Sequence, residues 1–173
     1  MARQTEHSLT RPTFEEAPRL AFVVAPFYRE ITDQLTAGAQ AEVEAAGGSV
    51  EIIEVPGALE VPAAIRLAWN GGEFDGFVAL GCVVRGETYH YETVCNESAR
   101  GIMQLTLQGA AIGNGILTVE TLDQARVRAD PDDQNKGGGA AAAALHLIAL
   151  SRRFTQRPKG IGFRSAAGAP DQP

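Results

Sequence analysis

Within Gly81 to His90, a glycine, a hydroxyl and an imidazole follow one another closely at the end of an apolar run. Where such a segment enters a helix, the backbone N–H groups of the first turn lack partners and can receive an anion. Gly86, Glu87 and Thr88 fall at that junction, and Thr88 adds a hydroxyl donor unless it serves as the N-cap of the helix. His90 sits in or beside the first turn, where the positive end of the helix dipole disfavours imidazolium. A neutral ring beside a bound anion can take and return protons. A surface histidine, or one that merely hydrogen-bonds, is the alternative. His7, in an N-terminal tail, and His146, in an Ala-rich stretch, have no comparable setting.

Other side chains could bind. Phe27 follows an apolar run and could stack on a flat heterocycle or close off a core. Glu60 opens a helix, where a carboxylate is favourable in any case. Arg128 and Lys136 flank a polar loop, and both suit phosphoryl oxygens, although solvated charges in such places are common. Neither GxxxxGK followed by Ser or Thr, nor GxGxxG after the first strand, is present, which argues against a nucleotide cofactor held in those ways. Cys82 and Cys95 lie in apolar segments, with neither a disulfide framework nor a zinc spacing. Together with the lack of an apolar leader, they suggest a reducing, cytoplasmic setting.

Positioning these groups requires regular elements. Arg19–Ala25, Val50–Val55, Phe77–Val84 and Ile112–Val119 read as strands by length and β-branching, the last weakened by Gly113 and Gly115. Between and after them, helices are predicted over Glu30–Gly47, Leu59–Asn70, Tyr91–Gln108, Leu122–Ala129 and Gly139–Phe154. In the first, Ile31, Leu35, Ala39 and Val43 recur every four residues. Strand and helix in alternation imply parallel strands joined by right-handed crossovers, a three-layer αβα sandwich. Ligands then bind beyond the carboxyl ends of the strands, where Phe27, Glu60 and His90 all fall. Gly137–Gly139 supplies turn freedom and close helix packing.

At 173 residues the chain suits one domain, predicted over 19–157 between flexible segments 1–18 and 158–173. The 21 acidic side chains outnumber the 15 basic, against a nucleic-acid partner, and no apolar run is long enough to span a bilayer.

Four blocks, VPGALEVPAAI, GCVVRGETYHYETVCNESARGIMQL, NGILTVE and NKG, occur in that order, and together they resemble the lumazine synthase family over about Arg19 to Phe154. The resemblance implies a flavodoxin-like fold with a four-stranded parallel sheet, open to extension by a neighbour's N-terminal strand. It implies condensation of 5-amino-6-(D-ribitylamino)uracil with 3,4-dihydroxy-2-butanone 4-phosphate in riboflavin biosynthesis, with no metal, nucleotide or redox cofactor.

Carried over residue by residue, Phe27 would stack on the pyrimidine, and Ala58, Leu59 and Glu60 would bind the pyrimidine and its ribityl chain. Cys82, Val83 and Val84 would hold the ring edge largely through backbone groups. Glu87 and Thr88 would receive the phosphate, His90 would shuttle protons, and Arg128 would clamp the phosphate with Lys136 in support. The stretch around Asn114 and Arg128 would come from a neighbouring subunit, making the active site a property of a homo-oligomer. The family often has Phe at the place of Asn114, Asn at that of Tyr28 and Phe at that of Leu59, so this site would be less aromatic. The resemblance implies pentamers at least, and the uninserted Arg128–Lys136 interval permits a closed icosahedral shell. Two competing readings are a flavodoxin-like flavin binder, disfavoured without a Ser/Thr-rich phosphate loop, and a non-catalytic lumazine-binding, riboflavin-binding or shell-forming homologue.

Overall fold

The computed structural model describes residues 9–155. Strands β1 (Arg19–Ala25), β2 (Ser49–Glu54), β3 (Gly76–Val84) and β4 (Ile112–Val119) form one parallel sheet in the order β2-β1-β3-β4. Helices α1 (Arg29–Ala45), α2 (Val61–Gly71), α3 (His90–Leu107), α4 (Leu122–Ala129) and α5 (Lys136–Thr155) cover it. This is the predicted αβα sandwich with the flavodoxin-like strand order.

The period of two in the strands divides the interior into two cores. Leu20, Phe22 and Val24 of β1 pack with Ile31, Leu35 and Val43 of α1 and with Leu145 and Ile148 of α5. Ala21, Val23 and Ala25 face the other way, onto Val61 and Ile65 of α2 and Ile102 and Leu105 of α3. Removing a side chain such as Phe22 or Leu35 fully from water contributes about 1.5–3 kcal/mol, and both are completely buried. All four positions of the predicted α1 stripe, Ile31, Leu35, Ala39 and Val43, are buried. At the sheet edge β2 is mostly exposed.

Two helix starts differ from the sequence reading by more than one residue. α2 begins at Val61, not Leu59, because residues 56–60 form a turn in which the Glu60 N–H donates to Gly57 O (3.2 Å) and Val61 to Ala58 O (3.4 Å). Pro62 then sits in the first helical turn, where its missing N–H costs nothing. α5 begins a turn early, at Lys136 instead of Gly139. Asn135 adopts a positive φ of 44° and its Oδ1 accepts the Gly138 N–H at 3.0 Å, capping the helix before the glycines.

The glycines of β4 have a purpose that propensity hides. A Cβ on Gly113 would lie 1.8 Å from the carbonyl oxygen of Ala140, so its absence lets α5 rest directly on the strand. Residues 9–18 run along the outside of α1 and α5. Arg11 pairs with Glu42 at 2.8 Å, and Arg152 donates to Glu16 O at 2.6 Å and to Asp75 at 2.9 Å. His7 and the segment 158–173 lie outside the described residues. Among the described residues no helix is long and apolar enough to cross a membrane.

Candidate active site

The chain passes from β1 outward to β2 and then returns across β1 to β3, leaving a crevice where the crossovers diverge at the strands' carboxyl ends. A cleft of ≈420 Å³ opens there. Its walls come from Phe27 and Tyr28 after β1, Pro56 to Glu60 after β2, Cys82 to Val84 at the end of β3, and His90 and Val94 of α3. Eight of the predicted site residues are thus brought together: Phe27, Ala58, Leu59, Glu60, Cys82, Val83, Val84 and His90.

Phe27 is 75% exposed, so it does not close the core. Its ring meets Tyr28 edge-on at 5.0 Å, which leaves an aromatic surface at the cleft mouth for a planar ligand. Leu59 is exposed beside it, whereas Ala58 is buried at the back of the turn. Glu60 is the residue before α2 and makes no side-chain capping bond, so its carboxylate is not spent on the helix. Cys82 is buried, and burial pushes its thiol up to about 11. A thiol so protonated at neutral pH is no nucleophile.

At the start of α3 the structure bears on the N-cap option for Thr88. The residue preceding the helix is Tyr89, and its side chain makes no capping bond. Thr88 is therefore not the N-cap. Glu87, Thr88 and His90 are all exposed there. Of these three, His90 lines the cleft and Glu87 and Thr88 do not.

The remaining three predicted residues are elsewhere. Asn114, Arg128 and Lys136 line a separate recess of ≈360 Å³ along β4 and the start of α5, with Gly115, Thr118 and Gly139. The Asn114 Oδ1 accepts the Ile116 N–H at 3.0 Å, leaving the amide nitrogen as the group it offers a ligand. Arg128 donates to Gln124 O at 3.0 Å, one turn back on α4. Guanidinium and amide N–H groups of this kind are chemically suited to an anion. Within one chain, then, the predicted site exists as two parts.

Two residues at or near the cleft were not singled out from sequence. Val94 lines the cleft one helical turn after His90, and the i, i+4 spacing alone could have marked it. Arg85 forms ion pairs with Glu92 and, at 2.7 Å, with Glu120, and its guanidinium carbon lies 4.2 Å from the centroid of the Tyr91 ring. Nothing local in the sequence marks that grouping, because Glu120 is 35 residues away.

The family model described as 6,7-dimethyl-8-ribityllumazine synthase matches residues 17–152. A protein of that name from Jannaschia sp. (strain CCS1) is 51% identical over 164 residues, covering 95% of this chain and 92% of the relative. Another from Erythrobacter litoralis (strain HTCC2594) is 58% identical over 136 residues, 79% of this chain and 97% of the relative. A third, from Sphingopyxis alaskensis (strain DSM 13593 / LMG 18877 / RB2256), is 59% identical over 140 residues, 81% and 96% of the two chains.

Proposed function

The chain belongs to the 6,7-dimethyl-8-ribityllumazine synthase family, and from that premise we propose how its residues divide the work. It is a transferase of riboflavin biosynthesis, condensing 5-amino-6-(D-ribitylamino)uracil with 3,4-dihydroxy-2-butanone 4-phosphate. The pyrimidine's amine attacks the ketone to give an imine with loss of water; phosphate leaves, and ring closure releases a second water.

The observation that carries the assignment of roles is the cleft at the sheet's crossover point, with an aromatic face at one side and His90 at the other. Phe27 stacks on the pyrimidine, and the turn Ala58-Leu59-Glu60 holds its polar edge and the ribityl chain. Cys82, Val83 and Val84 contribute the backbone of β3's end, with the Cys82 thiol a spectator. His90 accepts a proton as the amine adds and returns it to the departing hydroxyl. The uncapped start of α3, with Glu87 and Thr88, receives phosphate on one side. For Glu87 this contact is through its backbone, since its carboxylate would repel the ligand.

Arg128, Lys136 and Asn114 complete the site from a neighbouring copy. Their recess and the cleft are separate in one chain, and each contains only part of what the reaction needs. The proposed assembly is a pentamer or larger homo-oligomer, as the family resemblance implies, with the edge strand β2 the place for a neighbour's N-terminal strand. We read 19–157 as the catalytic domain between arm and tail segments 1–18 and 158–173. The cysteines Cys82 and Cys95 are free thiols, which fits a cytoplasmic setting.

The direct test mixes both substrates with the purified protein and follows the absorbance of the lumazine product. Turnover well above the spontaneous condensation is expected. Formation no faster than the protein-free mixture would overturn the assignment in favour of a binding or scaffold role.

A further inference from the structure

We propose that Arg85 is a positioning residue for His90, clamping the start of α3 to the end of β4 so that the imidazole is fixed at the cleft. The inference rests on the proton-shuttle reading of His90 given above. It begins with how little else holds this segment. The Arg85 N–H donates to Val119 O at 2.9 Å, the last ladder bond between β3 and β4. From there the chain crosses Gly86, Glu87, Thr88 and Tyr89, all exposed, before α3 starts. A Cβ at Gly86 would touch nothing within 4 Å, and the Tyr89 side chain does not cap the helix. A loop so sparsely packed cannot by itself hold a side chain to the tolerance proton transfer requires.

The guanidinium of Arg85 makes up the deficit. Its Nε donates to Glu120 Oε2 at 2.7 Å, just past the end of β4. Its Nη1 donates to Glu92 Oε1 in the first turn of α3, and its face lies over the Tyr91 ring. Tyr91 and Glu92 directly follow His90. With 3.6 residues per turn, holding those two residues fixes the rotation of the helix and hence the side on which His90 projects. His90 and Val94 share the cleft side, while Arg85 grips the neighbouring side. Three contacts in different directions need a planar fork with a stacking face, which lysine lacks. Consistent with a fully ionised cluster, the hydrogen bond from Arg85 holds the Glu92 carboxyl below the usual carboxylate range.

A double-mutant cycle on the full chain, assayed with both substrates, tests this. Arg85→Ala is expected to lower kcat about tenfold while leaving KM for the pyrimidine unchanged, with Arg85→Lys recovering only part. In a His90→Ala background the same change should cost almost nothing further, because the group being positioned is gone. Wild-type kcat in Arg85→Ala, or an equal fall with and without His90, overturns the proposal. So does full recovery in Arg85→Ala/Glu92→Gln/Glu120→Gln, since charge balance would then be the whole effect. Should Arg85→Ala fail to fold or assemble, Glu120→Gln is put through the same cycle; a smaller fall that vanishes without His90 supports the clamp, and wild-type kcat overturns it. A His90→Ala enzyme with undiminished kcat would instead remove the shuttle reading itself.

Discussion

At the scale of single residues, the proposed reaction needs proton transfer and anion binding far more than it needs a nucleophile, and the environment of Cys82 agrees. Cys82 is 5% exposed and its thiol is shifted up to about 11 by burial alone. In the folded protein at pH 8 it should therefore resist iodoacetamide and react readily once denatured, as mass spectrometry would show. Cys82→Ala should retain kcat; loss of turnover in a folded variant would reinstate the thiol as a reactant. His90→Ala should slow the reaction without abolishing it, because holding two reactants together accelerates condensation even without a proton shuttle. Arg128→Ala should mainly raise KM for the phosphate substrate, and an unchanged KM would argue against a clamp. Residue identity made these candidates legible in the sequence: an imidazole at a helix start and cations beside a polar loop carry their chemistry with them. What remained hidden was Arg85, whose partners Glu92 and Glu120 are joined to it only by the fold.

At the scale of elements, all four strands lie within one residue of their predicted bounds, and Ile112–Val119 and Arg19–Ala25 match them fully. Alternation of apolar strands with amphipathic helices is a strong signal because it is repeated. The start of α5 was misread because intrinsic propensity counts three successive glycines against a helix, roughly 1 kcal/mol each relative to alanine. Packing reverses that judgement. A Cβ on Gly137 would lie 2.0 Å from Leu35 O and 2.7 Å from its carbonyl carbon, so the glycine allows the backbones of α5 and α1 to touch. Backbone cannot move aside as a flexible side chain can. Gly137→Ala should accordingly lower stability by about 1–3 kcal/mol. Gly139 meets nothing within 4 Å, and Gly139→Ala should raise stability by about 0.5–1 kcal/mol. Denaturant unfolding of the two variants decides it: equal effects would mean that the close approach of α1 and α5 does not limit the fold.

At the scale of the whole molecule, the predicted site residues line two different recesses of the chain, and the proposed function joins them across copies. His90 lines the crevice beyond β1 and β3, whereas Arg128 and Lys136 line a recess against β4 and α5. If one chain's recess completes another's cleft, the protein must sediment as an oligomer, a pentamer or larger in the proposed assembly, and an 18 kDa species alone would contradict the arrangement. Hybrid assembly gives a sharper test. His90→Ala and Arg128→Ala subunits, each defective alone, are denatured together in equal amounts and reassembled. In a closed ring with random neighbours, about a quarter of the interfaces pair an intact His90 with an intact Arg128. Activity should then recover toward that fraction of the wild-type rate at low phosphate-substrate concentration. A mixture no better than the mean of its two components would place both residues in a site made by one chain, and the proposed sharing would fail.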